Sequence, residues 1–213
     1  MSASFNATDP SSPLYYPPNQ TALLLLDYHG FIISQLAEAG TAALATAARM
    51  RTWALENGIT VVHCLVDVHA TPSVICKGGP RVTAMLEGLK DDREAVDEPA
   101  SAAFSGQRGE FVVRKQPGVI SGLRSPGAME LLSERGIKSL IICGLSTSGA
   151  VLRTAIPATD DGFVVSVISD ACADRKEGVH EMVLETLLPN RAHVTNADEF
   201  IGEWEKASGR GRS

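Results

Sequence analysis

No stretch of this chain holds the ~18 consecutive apolar residues that a membrane-spanning helix requires, so no membrane span is expected. Basic clusters are equally scarce. Lys and Arg total 19 against 25 Asp and Glu, a net charge of −6, and Arg gathers only in the short tail around Arg210 and Arg212. That balance argues against a nucleic-acid partner. The N-terminus through Gln20 is polar and Pro-rich and lacks the basic start and apolar core of a secretory signal. A cytoplasmic protein is expected, and the sequons Asn6-Ala7-Thr8 and Asn19-Gln20-Thr21 read as chance matches. The four cysteines, Cys64, Cys76, Cys143 and Cys172, form no CxxC pair. Cys64 and Cys143 sit in apolar runs, where cysteine behaves as a small hydrophobe, and a reducing compartment is the natural reading. Hairpin signals and internal repeats are absent too.

What remains is an ordinary globular composition, 44% hydrophobic and 21% charged over 213 residues, enough for one domain with a sizeable core. The expected division is an N-terminal arm over 1–19, a single domain over 20–207 and a disordered tail over 208–213. The arm has two open readings: a loose terminus, or a segment packed on a neighbour through Tyr15 and Tyr16.

Short β-branched or Leu-rich runs alternate with helical stretches along the whole chain. Thr21–Asp27, Ile59–Leu65, Glu110–Arg114, Ile137–Cys143, Phe163–Ile168 and Ala192–Thr195 read as strands. Residues 31–57 read as one or two helices, with Ile33, Leu36, Ala43 and Trp53 facing the core. Further helices are expected over Arg81–Leu89, Ser125–Arg135 (Ser125 as N-cap, Pro126 at the first helical position), Ala150 onward, Gly178–Leu188 and Asp198–Lys206. Pro157 either kinks its helix or ends it early. Strictly alternating strands and helices predict a three-layer α/β/α fold around a mostly parallel six-stranded sheet. Residues 70–108, punctuated by Pro and Gly with an acidic run at 91–98, read as either a lid or a plain surface loop.

Candidate chemistry gathers at the strand ends, where ligands bind in such sheets. Asp27 closes the Leu23–Leu26 run and is either a functional carboxylate or a helix cap. Lys115 stands at the end of the third strand. Cys143-Gly-Leu-Ser-Thr-Ser-Gly-Ala150 turns from the fourth strand into a helix whose N-terminal amides suit an oxyanion. A carboxylate beside an ammonium suits proton transfer. The place for a nucleophile, Ala150, carries a methyl group, which can form no covalent intermediate. Asp67-Val-His69 has the spacing of two metal ligands, or of a plain polar strand end, and no third His follows before His180.

The stretch Cys143–Ala155, with Asp27 and Lys115, resembles the isochorismatase-like hydrolases, or cysteine hydrolase superfamily: nicotinamidases, N-carbamoylsarcosine amidohydrolase and isochorismatases. The resemblance covers residues 20–200. It implies a catalytic set of Asp27, Lys115 and the residue at 150, a cis peptide at Leu145–Ser146, and an oxyanion hole from the amides of Ser146 and Ala150. It also implies a small-molecule substrate and a homodimer or homotetramer. Nicotinamidases carry an Asp-x-His metal motif that Asp67 and His69 echo; with the further His missing, no metal and no cofactor is expected. His29, Phe31 and Gln116 are pocket candidates by adjacency in sequence. Three readings of Ala150 stand: an amide, urea or carbamoyl hydrolase whose nucleophilic Cys is replaced, an isochorismatase-type vinyl-ether hydrolase working through Asp27 without a Cys, or a ligand-binding pseudoenzyme.

Overall fold

The structure, a computed structural model, describes residues 5–87 and 109–209. The acidic run at 91–98 therefore lies outside the described residues. Six strands form one sheet: β1 (Thr21–Leu26), β2 (Thr60–Val66), β3 (Glu110–Lys115), β4 (Ser139–Leu145), β5 (Val164–Ala173) and β6 (His193–Thr195). Their order is β3-β2-β1-β4-β5-β6, and every neighbouring pair is parallel. The expected α/β sheet is present. β1 and β4 are buried along their whole length, as continuous apolar runs in the middle of a doubly covered sheet must be.

Among the described residues the α-helices are α1 (Gly30–Gln35), α2 (Ala37–Glu56), α3 (Gly79–Glu87), α4 (Ala128–Glu134), α5 (Leu152–Asp160), α6 (Val179–Met182) and α7 (Ala197–Ala207). Because side chains alternate along β1, Leu23 and Leu25 enter one core with α2 and α7, while Ala22, Leu24 and Leu26 enter the other with α4 and α5. Ile33, Leu36, Ala43 and Trp53 are buried in the first of these cores as expected. Trp53 meets Phe200 and Trp204 edge to face there, with centroids 5.8 and 5.5 Å away. Truncating Phe200 in such a cluster costs roughly 3–5 kcal/mol.

Residues 31–57 form two helices, one of the two expected arrangements, broken at Leu36–Ala37, where Ala37 takes a positive φ of 49°. Several boundaries differ from the sequence reading for local reasons. The helix expected from Ser125 begins at Ala128, after Gly127 at φ 81°, and the buried Ser125 hydroxyl caps nothing. Pro157 neither stops α5 nor shortens it; the helix continues to Asp160. β5 runs five residues beyond the expected Ile168, to Ala173. The N-terminal segment folds back on its own domain. Phe5 packs edge-on against Phe200 and His193, Leu14 joins the α2/α7 core, and the Tyr16 hydroxyl donates to the Pro10 carbonyl at 2.9 Å.

The strand order reverses between β1 and β4. Ligands of parallel sheets sit outside the carboxyl ends at such a switch point. Here those two ends carry Asp27 and Ser146.

Candidate active site

Asp27 follows β1 directly. Its N–H still donates to the Cys64 carbonyl (3.0 Å), but its φ of 56° turns the chain out of the sheet. α1 begins only at Gly30, so Asp27 is not that helix's cap. Its carboxylate instead meets Lys115. Lys115 ends β3 on the other side of β2, and at 1% exposure its Nζ donates to Asp27 Oδ2 at 2.7 Å and to the Ile120 carbonyl at 3.0 Å. Asp27 Oδ1 is buried and has no hydrogen-bond partner among the described residues. Burial outweighs the pull of Lys115 and raises the pKa of Asp27 to about 6.

The third strand end supplies a loop. The Leu145–Ser146 peptide is cis, at the bond expected from the sequence. Thr147–Val151 follow as a π-helical turn that runs into α5. Two glycines allow this shape. A Cβ on Gly144 would lie 2.6 Å from Leu26 Cβ, and one on Gly149 would lie 2.7 Å from Ser146 Oγ. Ala150 is 3% exposed and packs among Val151 and Ala155, with its methyl group on the wall of a cavity of about 530 Å³.

That cavity brings together Asp27, Ser146 and Ala150 with Ile32 of α1, Leu36 just past it, Val119 and Ile120 after β3, and Asp174 after β5. Arg81 of α3, Arg175 and Lys176 add positive charge to its wall. Sequence reading had not placed these cations there. The signal available for Val119 and Ile120 was their position just past Lys115, where Gln116–Gly118 turns the chain with a Val119 N–H to Gln116 carbonyl bond of 3.0 Å.

The three pocket candidates chosen by adjacency are placed elsewhere. The His29 ring accepts the Val66 N–H through Nε2 at 2.9 Å, Phe31 packs on Val68 and Leu86, and the Gln116 side chain donates to the Thr71 carbonyl at 2.7 Å. The metal candidates Asp67 and His69 are engaged with each other: Asp67 Oδ1 accepts the His69 N–H at 3.0 Å in a local turn. Upstream, His63 belongs to a buried cluster with Glu110 and Arg51. Among the described residues no three His, Cys, Asp or Glu side chains gather as a metal site would need. Cys143 is wholly buried, and burial drives its thiol far above the ordinary range, so it cannot replace a nucleophile at 150.

The Isochorismatase domain profile matches residues 21–199, from the start of β1 into α7. The chain belongs to the isochorismatase family. Within that family it is 23% identical over 185 residues to a probable isochorismatase from Pseudomonas chlororaphis, with 86% of each chain covered. It is 29% identical over 149 residues to the maleamate amidohydrolase of Pseudomonas putida, covering 66% of this chain and 64% of the other. An isochorismatase-family protein from Burkholderia thailandensis superimposes with a TM-score of 0.71 at 19% identity, covering 88% of this chain and 96% of that one, which shows the common fold. Hydrolysis is thus the chemistry of the isochorismatase family as these relatives represent it.

Proposed function

We propose that this isochorismatase-family hydrolase cleaves a small anionic enol ether by acid catalysis at Asp27, with no covalent enzyme intermediate. The observation that carries this reading is the state of Asp27. It is a buried carboxyl held near pKa 6, with Oδ2 tied to Lys115 and Oδ1 left without a partner. A general acid needs a pKa near the working pH. Ala150 lines the same cavity, and its methyl group offers no nucleophile.

In this scheme Asp27 gives its proton to the terminal vinyl carbon, and the ether oxygen takes up the positive charge. Water adds to the cationic carbon and returns a proton to Asp27. The resulting hemiketal splits into a ketone and an alcohol, so one water is consumed. Lys115 steadies the carboxylate once the proton has left. Arg81, Arg175 and Lys176 supply counter-charge for a substrate carboxylate. Isochorismate is the first substrate to try, following the name of the P. chlororaphis relative. The test is a coupled lactate dehydrogenase assay; absence of pyruvate at micromolar enzyme would falsify the enol-ether reading.

A second reading rests on the loop itself. Ser146-Thr-Ser-Gly149 and its helix place position 150 on the same cavity as Asp27, and the maleamate amidohydrolase is among the relatives. In an Ala150→Cys variant, Asp27 would take the thiol proton and the amides of Ser146 and Ala150 would receive the oxyanion. Mass spectrometry of that variant with small amides should show an acyl adduct and release of ammonia. Neither signal across a broad amide panel rules this reading out.

A further inference from the structure

The loop that carries the 150 position has no side-chain cap of its own at Ser146. It is held from outside, at two successive residues. The Ser148 N–H donates to Asp174 Oδ2 at 2.8 Å, and Thr147 Oγ1 pairs with His180 Nδ1 at 2.8 Å. Both partners come from the segment that follows β5.

β5 reaches that place by an irregularity. Ile142 of β4 pairs with Val167, yet Gly144 pairs with Cys172, so residues 168–171 stand where β4 has Cys143 alone. The excursion is pinned on both sides. The Tyr28 hydroxyl donates to the Ala171 carbonyl at 2.5 Å, and Asp170 Oδ1 accepts the Ala197 N–H at 2.9 Å at the start of α7. Tyr28 is the residue after Asp27, so the strand that presents the acid also braces the strand that presents Asp174. Burial tends to raise the Asp174 carboxyl. Bonds from Ser148 and from the amides of Lys176 and Arg175 outweigh it and hold the group below the usual range, so it stays ionised. Its Oδ1 closes its own turn by accepting the Lys176 N–H at 3.3 Å.

We propose that Asp174 is a positioning residue: by accepting the Ser148 N–H it fixes the 146–150 loop, and with it the loop's amides, against Asp27 in the cavity. This rests on the reading of the cavity as the hydrolytic site. Asp174 itself exchanges no proton with substrate. Its neighbours Arg175 and Lys176 reach the same cavity wall, so one short segment both sets the loop and faces the substrate.

The test compares Asp174→Ala and Asp174→Asn by steady-state kinetics and by amide hydrogen exchange on the full chain. A misplaced loop lowers kcat on the order of 100-fold. Asp174→Ala should show that loss with KM little changed and with the acid limb of the pH profile unmoved. It should also exchange faster at 146–150 while β4 stays protected. Asparagine keeps an acceptor for the Ser148 N–H and should recover most of the rate and the protection. Unchanged exchange at Ser148 in the alanine variant overturns the proposal. So does an asparagine variant as impaired as the alanine one, or a loss of protection that extends through β4. If the wild-type chain turns over no enol ether, the reading of the reaction falls, while the exchange comparison still decides the role of Asp174.

Discussion

Asp27 carries opposed demands at a single residue. Burial favours its neutral form and Lys115 favours its charged form; burial wins, and the pKa rises to about 6. If the protonated carboxyl is the active form, kcat/KM is highest below that value and falls as pH rises through it. A rate that climbs through pH 6 instead assigns the base form to catalysis. Asp27→Asn keeps the size and tolerates the positive φ, but it has no proton to give; turnover should drop by about 10²–10⁴-fold. Lys115→Met removes the charge that lowers the Asp27 pKa, so the descending limb should move upward by about 1–3 pH units. A pH–rate profile of this variant that superimposes on the wild type would show that the 2.7 Å ion pair does not set the acid.

Elements matter here through how closely they approach. β4 passes β1 at Gly144, where an added Cβ meets Leu26 Cβ at 2.6 Å, the Leu26 carbonyl at 3.1 Å and Val151 Cγ2 at 3.1 Å. Leu26 immediately precedes Asp27, and Val151 closes the Thr147–Val151 turn. Gly144→Ala should therefore cost about 1–3 kcal/mol of stability, a fall in Tm of about 2–4 °C per kcal/mol for a domain of this size. It should also lower activity more than a peripheral substitution of equal cost. A differential-scanning melt and a kcat measurement check both. The elements themselves were legible because buried parallel strands read as continuous apolar runs, as Leu23–Leu26 and Leu140–Cys143 do. The length of β5 was not. Asp170 and Asp174 look like turn residues in sequence, and their partners, the Ala197 and Ser148 amides, are supplied by distant parts of the chain. The Asp27–Lys115 pair could be read because each residue stands at the end of a legible strand, Asp27 after the Leu23–Leu26 run and Lys115 closing β3. The cations of the cavity wall could not: Arg175 and Lys176 stand in a polar stretch with no periodicity to give their direction, and Arg81 opens a short helix whose placement over the sheet ends the sequence does not give.

At the scale of the molecule, two buried acid–base systems among the described residues respond to pH with opposite sign. At one end of the sheet Glu110 is bound by Arg51 through Nε (2.5 Å) and an Nη atom (2.6 Å), and by His63 Nε2 at 2.6 Å. Burial lowers the His63 pKa despite Glu110, so the unfolded chain binds its proton more readily. Stability from His63 is complete above its ordinary 6.5 and is lost as pH falls below it. Burial alone would raise the Glu110 carboxyl, but its bonds to Arg51 and His63 hold it below 4.5; its contribution is lost further down, as pH falls through that lowered value. Asp27 works the other way. Its folded pKa of about 6 exceeds 3.8, so between those values the folded state binds the extra proton and gains stability as pH falls. In the range from pH 6 to 4 Asp27 therefore offsets part of the loss from His63. Asp27→Asn removes that offset and leaves the Glu110 cluster untouched. Tm plotted against pH should decline more steeply on acidification for Asp27→Asn than for the wild type, with the two curves separating between pH 6 and 4. Parallel curves across that interval would mean that Asp27 takes up no extra proton on folding, and the acid role assigned to it would lose its physical basis.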